Sequence, residues 1–493
     1  MKKSTHSASS VSQRVRRSVL KGWISFWSSR WPLFLSIAWI CGLVLRVIYT
    51  EDMEYKEDEE YNFIQSQKIG TTDPWPWFGI PSGVYLVNPG MSIWVFAGLA
   101  KLFHAHTPLE LAHAVQIFAL LGMTLVIPFA QRFVEPESRK YWNWALALSL
   151  VNPFLMLYQR KLWPEPFLPF FTMLTLMGWW RRSSTLGAIL WGMVGAWLGQ
   201  IHMSGFFFSG ALFLWTFLFG KHVTVPSSKA NLAKMAKTPR LGAKANSKVN
   251  SKSKKKNLSA PIKWKAWFFG SVLGSLPLIP WFIYVIQHPL SQSMTQGWKE
   301  IIQFKYWTFW LTNPLGLHLG NPLGLLRGPS QWDQISDFVR YPLIEGQATY
   351  INGLAHLGAA VVAIWILIRG VRSFYKRWQN QKRLSPLVIG TESNTAFVQN
   401  SILIGCGLLL TLTGVMIRRY YMAVTYPLEF IFLARMAGPD TKTGQRLLGA
   451  LWLCELIISA NFVGYIHVNQ GSVWGDYGKA YHLVATPEGS SKN

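Results

Sequence analysis

The chain has 493 residues, of which 50% are hydrophobic, 15% aromatic and only 14% charged, with a formal net charge of +26. Those values lie outside the range of an ordinary soluble domain and exclude water as its main solvent. The excess charge does not read as a nucleic-acid surface, because Lys and Arg gather in hydrophilic stretches between long apolar runs, where they act as topology signals. Cys41, Cys406 and Cys454 each lie inside an apolar run without metal-ligand spacing, which predicts neither a disulfide framework nor a zinc site.

In chain order, a basic tail (1–31) precedes the first apolar run and carries no small-residue cleavage site after it, so this run is expected to remain as a helix. Spanning helices are predicted near 32–49, 113–131, 141–157, 166–180, 185–202, 204–220, 266–287, 351–368, 398–417, 421–437 and 446–466, about eleven in all. The count is set by parity: the Lys-rich, acid-free linker 221–265, Gln131 to Lys140, Arg181 and Arg182, Arg369 to Arg383 and Ala434 to Arg446 then share one cytoplasmic side. Asn88 to Phe103 is apolar too, but counting it as a crossing would put the linker outside. It therefore reads as an interfacial helix. The predicted fold is an all-α polytopic membrane protein. Its N-terminal membrane half (32–220) carries the outer loop 50–112, its C-terminal half (266–466) the outer loop 288–350, and a tail (467–493) follows on the outer face.

The outer elements hold the candidate chemistry. TEDMEYKEDEEYNF crowds Glu51, Asp52, Glu54, Glu57, Asp58, Glu59 and Glu60 directly after the first helix. Like-charge repulsion there can raise a carboxylate enough to make it a base towards a hydroxyl; the plainer reading is a solvated acidic loop. YQRKLWPEPFLPFF places Arg160, Lys161 and Glu165 at the outer edge of the membrane, with Glu165 and Pro166 opening a helix. Arg418, Arg419, Tyr420 and Tyr421 fall at a helix junction, where guanidinium groups either neutralise a phosphate or anchor the interface. His202 is a phosphate donor or a packing histidine, and Glu429, inside the tenth span, needs a partner or a cavity.

This order of pieces resembles the GT-C glycosyltransferases, specifically the branch of protein O-mannosyltransferases and lipid A aminoarabinose transferases. The Asp-Glu pair of the first outer loop is matched by Asp58 and Glu59, the interfacial Asn-Pro segment by Asn88, Pro89 and Trp94, and the second acid before Pro and an aromatic by Glu165, Pro166 and Phe167. RRYYMAVTYPLEF matches the late basic-aromatic segment through Arg419, Tyr420, Tyr421, Tyr426 and Pro427. The departures are Gly90 in place of a second proline, no Lys before Pro89, Glu rather than Asp as the second acid, and no inserted repeat domain between Ala266 and Ala360.

The resemblance implies transfer of a monosaccharide from a polyprenyl-phosphate donor to a hydroxyl of a lipid, glycan or protein at the outer face, with inversion. Asp58 is then the base, and Arg160, His202, Arg418 and Arg419, beside Tyr420 and Tyr421, serve the donor phosphate. Glu59 and Glu165 orient groups or hold a divalent ion, the one cofactor kept open. Two other classes remain: a lipid-pyrophosphate glycan ligase or oligosaccharyltransferase, and a transporter or flippase, against which the lack of a repeat between the halves counts. The tandem NPLGLHLG and NPLGLLRG is either a cap or a pair of Pro-Gly turns, and GDYGKAY in the tail either folds over the site or lies exposed. The expected location is a bacterial inner membrane with the site on the periplasmic side.

Overall fold

A computed structural model describes residues 23–81, 87–222, 261–288, 298–316, 332–381, 385–472 and 477–485. Most of the linker, most of the tandem octets, Asp476 and both chain ends lie outside these residues.

The protein is all-α with three short hairpins. Helices lie on the predicted crossings: α1 (Trp31–Val47), α4 (Pro108–Phe133), α5 (Arg139–Val151) continued by α6 (Pro153–Gln159), α7 (Leu168–Trp180), α8 (Thr185–Ile201), α9 (Ser204–Phe219), α10 (Trp264–Gln287), α13 (Ile351–Gln381), α14 (Asn394–Leu412), α15 (Leu428–Ala437) and α16 (Lys442–Asn469). The first outer loop carries α2 (Glu57–Lys68) and α3 (Met91–Phe103), the second α11 (Lys305–Thr312) and α12 (Trp332–Arg340), and short helical turns at Trp298–Ile301, Ser385–Ile389 and Tyr481–Ala485 lie between or after these among the described residues. Among the described residues five helices, α4, α10, α13, α14 and α16, are long and apolar enough to cross a membrane by themselves; α1, α3, α8 and α9 are apolar but shorter. The chain is a multi-pass membrane protein.

Which faces are buried agrees with lipid as the solvent. On α13, Leu354, Leu357, Val361, Ile364, Trp365 and Ile368 are exposed at helical spacing, and α10 exposes Phe268, Phe269, Val272, Leu273, Leu276 and Ile279. A surface of that kind is stable only against hydrocarbon. At the centre α5 is buried all round from Trp142 to Val151, as expected of a helix apolar on every face. It is packed by α1, α15 and α16.

The tenth predicted span, 421–437, differs from expectation. Arg419–Thr425 is a 3-10 turn and only Leu428–Ala437 is α-helical. Pro427 is the reason, since it lacks a donor and bars its predecessor from helical geometry. The remaining ten residues rise about 15 Å, half of a hydrocarbon core.

The helix expected to lie at the interface is α3, whose thirteen residues rise about 20 Å. Trp94 Nε1 donates to Pro76 O at 2.8 Å, and Trp75 and Trp77 pack on its ring. Gly90 has a steric reason: a Cβ there would come within 2.4 Å of Pro76 O.

Against α8, α10 presents Gly270 and Gly274, a GxxxG face. Added Cβ atoms would reach Ile189 O at 2.2 Å and Met193 O at 2.5 Å, and one on Gly192 would reach Trp267 O at 2.2 Å. Small residues here let two backbones touch, which is how helices associate where lipid removes the hydrophobic drive. Gly270→Leu is expected to lower the melting temperature in detergent by an amount equivalent to about 1–3 kcal/mol of overpacking, while Gly98→Leu, at an open position, leaves it unchanged. Differential scanning fluorimetry reads both.

Candidate active site

Just after α1 the chain must leave the helix, and the last carbonyls of α1 need donors. Arg160 supplies them. Its Nη1 donates to Leu45 O, Arg46 O and Ile48 O at 3.0, 2.9 and 2.7 Å, and Nη2 to Tyr49 O at 2.7 Å. One turn earlier, wholly buried Arg46 donates to Gln159 Oε1 at 2.6 Å and to Leu150 O at 2.7 Å. Lys161 pairs with buried Glu54, which also takes Lys56. The turn 159–165 and the start of the first outer loop are thereby fastened together.

From this anchor the loop enters α2, opened by a run of acids suited to a helix N-terminus. Glu59 faces inward, buried, its Oε2 accepting from Lys56 N at 3.2 Å; burial pushes its carboxyl up to about 7. Asp58, the residue before it, is exposed and lines a pocket. Burial of its inner side and then neighbouring Glu57 raise its carboxyl above the ordinary value, with Lys56 opposing.

The pocket draws on five separate parts of the chain: Asp58 and Asn62 of α2, Asn88 of the loop hairpin, Trp163 and Glu165 of the turn after α6, His202 after α8, and Tyr420 and Tyr421 of the 3-10 turn. Asn88 Nδ2 donates to Ile80 O at 2.9 Å, which holds the hairpin, and Pro89 is buried beside it. His202 Nε2 lies 3.6 Å from Glu165 Oε1, and its Nδ1 lies 2.7 Å from Ser204 Oγ. The His202 ring meets Tyr421 edge-on at 5.3 Å, and Trp163 meets Tyr420 edge-on at 5.4 Å. Burial is the main cause that pushes the Glu165 carboxyl up to about 8; Lys161 opposes it, and Asp58 and Glu59 add to it. Glu165 Oε2, Asn62 Oδ1 and Trp163 Nε1 are buried with no hydrogen-bond partner among the described residues. Such atoms are free to meet a ligand or an ordered water.

The basic residues separate. Arg160 is engaged as a helix cap. Arg419 donates to Thr312 Oγ1 and Asn313 Oδ1 at 3.0 and 2.7 Å and lies over the Phe309 ring, so it ties the second outer loop to the 3-10 turn. Arg418 is exposed, and its guanidinium makes no hydrogen bond or ion pair among the described residues. Among the described residues no group of three or more His, Cys, Asp or Glu side chains is placed to hold a metal ion.

The tail is docked. Tyr477 Oη donates to Asp52 O at 2.7 Å, Tyr481 N to Met53 O at 2.9 Å, and Asp52 receives His467 at 2.7 Å and His482 at 3.3 Å. The tail's described residues brace the base of the loop, and none of them lines the pocket. Sequence reading missed Asn62, Trp163 and Arg46; for Arg46 the signal was present, an arginine inside an apolar run. Glu429 meets Thr425, which donates to it at 3.0 Å, and all three cysteines are free thiols.

No protein-family model matches the chain, and no curated protein matches it in sequence. Among solved structures, it is similar to the oligosaccharyltransferase of Archaeoglobus fulgidus in its apo form, with a TM-score of 0.44 and 12% identity over 94% of this chain and 59% of that one. The same archaeal enzyme bound to an inhibitory peptide and a dolichol-phosphate gives a TM-score of 0.44. ArnT of Cupriavidus metallidurans gives a TM-score of 0.39 and 13% identity over 91% of this chain and 78% of that one. This chain thus spans less than two thirds of the archaeal enzyme's length. Both neighbours are membrane glycosyltransferases of the GT-C superfamily. At these scores the likeness carries no activity across, and function is argued from the pocket.

The raised Glu165 carboxyl has a consequence for stability. A buried carboxyl favoured in its neutral form stabilises the fold below its unfolded pKa, and that contribution is lost as pH rises through the folded value. The melting temperature is therefore expected to fall between about pH 5 and about pH 9, and Glu165→Gln is expected to flatten that fall. An equally steep fall in the variant would assign the loss to other groups.

Proposed function

We propose that the chain is a GT-C-type glycosyltransferase that moves a monosaccharide from a polyprenyl-phosphate donor to an acceptor hydroxyl at the outer face of the membrane. The observation that carries this reading is the pocket's composition: one exposed carboxylate, Asp58, opposite a buried acid–imidazole pair, Glu165 and His202, between aromatic side chains. Aromatic faces suit the apolar side of a sugar ring, and the unpartnered Asn62, Trp163 and Glu165 atoms suit its hydroxyls.

In the proposed reaction Asp58 takes the proton of the acceptor hydroxyl as its oxygen bonds to the anomeric carbon. The bond from that carbon to the phosphate oxygen breaks, and polyprenyl phosphate leaves with the electron pair. A single displacement inverts the centre. Glu165, held up to about 8, is protonated at neutral pH and donates a hydrogen bond to the sugar. Arg418, exposed and next in the chain to the pocket residues Tyr420 and Tyr421 but not itself in the pocket wall, offsets the charge that develops on the departing phosphate. Arg160 and Arg419 act as positioning residues, because their donors are already committed to the loops they hold. The same reading places the protein in a bacterial inner membrane with the pocket on the periplasmic side.

The test is transfer by purified protein in liposomes from radiolabelled polyprenyl-phosphate sugars. Asp58→Asn is expected to lower turnover by about 10²–10⁴-fold with donor binding retained. Arg418→Gln is expected to slow transfer at saturating donor more than it weakens donor binding. Unchanged turnover in Asp58→Asn would remove Asp58 from the chemistry. Turnover only with lipid-pyrophosphate glycans would move the assignment to an oligosaccharide transferase.

A further inference from the structure

At the opposite, basic end of the protein lies a second site that the proposed transfer does not use. Between α13, α14 and α15 is an apolar cavity of about 330 Å³, whose walls include Val371, Phe374, Leu403, Phe432 and Met436. Phe374 and Val371 are exposed beside it, so the cavity borders the lipid-facing surface of α13. At its polar end are Arg377, Arg435 and Glu392, and these same three residues also line a larger cavity of about 610 Å³. The larger cavity holds a different chemistry, with Glu135, Glu137, Lys140 and Asp440 in its walls.

The charges along this path are ordered. Arg435 Nη1 donates to Gln399 Oε1 at 2.8 Å and Nη2 to Glu392 Oε1 at 3.1 Å, while Arg377 is exposed, with Nη2 3.3 Å from Ser373 Oγ. The two guanidinium groups are close enough to repel, and Glu392 offsets only one of them. Farther out, Asp440 is paired with Lys140. Glu135 Oε1 accepts from Asn394 Nδ2 at 3.4 Å, but its Oε2 is buried without a partner among the described residues. Arg377, Arg435 and Glu392, shared by both cavities, thus stand between the apolar walls of the first and the carboxylates Glu135, Glu137 and Asp440 of the second, where Arg139 and Lys140 also approach Glu137.

We propose that this path binds one zwitterionic aminophospholipid molecule: an acyl chain in the apolar cavity, the phosphate at Arg377 and Arg435, and the primary ammonium at Glu135 and Glu137. A glycerophospholipid carries these three groups in that order. Guanidinium is the preferred partner of a phosphate, and an N–H-bearing ammonium satisfies the orphaned carboxylate oxygen, which a quaternary amine cannot do by hydrogen bonding. An anionic lipid without an amine would leave Glu135 unmet and face Glu137.

The full-length protein is reconstituted in vesicles containing equal amounts of phosphatidylethanolamine, phosphatidylcholine and phosphatidylglycerol, extracted in mild detergent, and its retained lipid is measured by native mass spectrometry. Phosphatidylethanolamine is expected to exceed both others by about tenfold, the scale of one charged hydrogen bond. Glu135→Gln is expected to bring it down to the phosphatidylcholine level, and Glu137→Gln, at an exposed position, serves if that variant does not fold. Arg377→Gln is expected to lower all three lipids, and Leu403→Trp, which fills the cavity, to abolish retention in a protein of unchanged melting temperature. Equal retention of the three lipids, preference for phosphatidylglycerol, or displacement by soluble glycerophosphoethanolamine as effectively as by the intact lipid would overturn the proposal.

Discussion

The pocket end of this protein depends on one guanidinium. Where α1 ends, carbonyl oxygens that no helix can satisfy meet Arg160, which takes four of them. In a low-dielectric setting neither the carbonyls nor the charge could be left unpaired without a cost of several kcal/mol. Each therefore requires the other, and the requirement joins two segments far apart in the chain. On one side the strand of loop that follows carries Asp52, Glu54 and then α2 with Asp58. On the other, the residues that follow Arg160 carry Lys161, Trp163 and Glu165. The Lys161 to Glu54 pair closes the same joint a second time. Asp58 and Glu165 face one pocket because their segments are fixed at their roots.

The other walls of the pocket are held by comparable means. Gly90 permits the Trp77 turn to lie against α3, and Trp281 of α10 donates to Val87 O at 2.6 Å, binding the loop hairpin to the membrane half. Arg419 fastens α11 to the 3-10 turn that bears Tyr420 and Tyr421. The docked tail braces the loop through Asp52. Polar groups that would be costly unpaired serve here as positioning contacts between segments, while the carboxylate proposed as the base, Asp58, is left exposed at the pocket.

Much of the fold was legible because its cause is local. Runs of apolar residues and the placement of Lys and Arg mark helices and sides, and α1, α4, α8, α9, α10, α13, α14 and α16 lie where that reasoning put them. The 3-10 turn at Arg419–Thr425 was not read, although Pro427 was there to signal it. At the site, Asp58, Glu165, His202, Tyr420 and Tyr421 were singled out and are gathered in one pocket. Arg160, Arg419 and Glu59 were singled out as well, yet they are engaged in caps and loop ties. Sequence shows that an arginine stands at an interface; which carbonyls come within its reach depends on packing between segments. Asn62 and Trp163 were invisible for the same reason, since an ordinary asparagine and an ordinary belt tryptophan acquire meaning only from the pocket they line.

The account rests on a single displacement driven by one exposed base, with no side chain forming a covalent link to the sugar. The most direct measurement is the anomeric configuration of the product, read by NMR of the glycoside formed from a polyprenyl-phosphate sugar of known anomeric configuration. The account predicts complete inversion. Retention of configuration would require a second displacement, and would contradict the role given to Asp58 and to the pocket built around it.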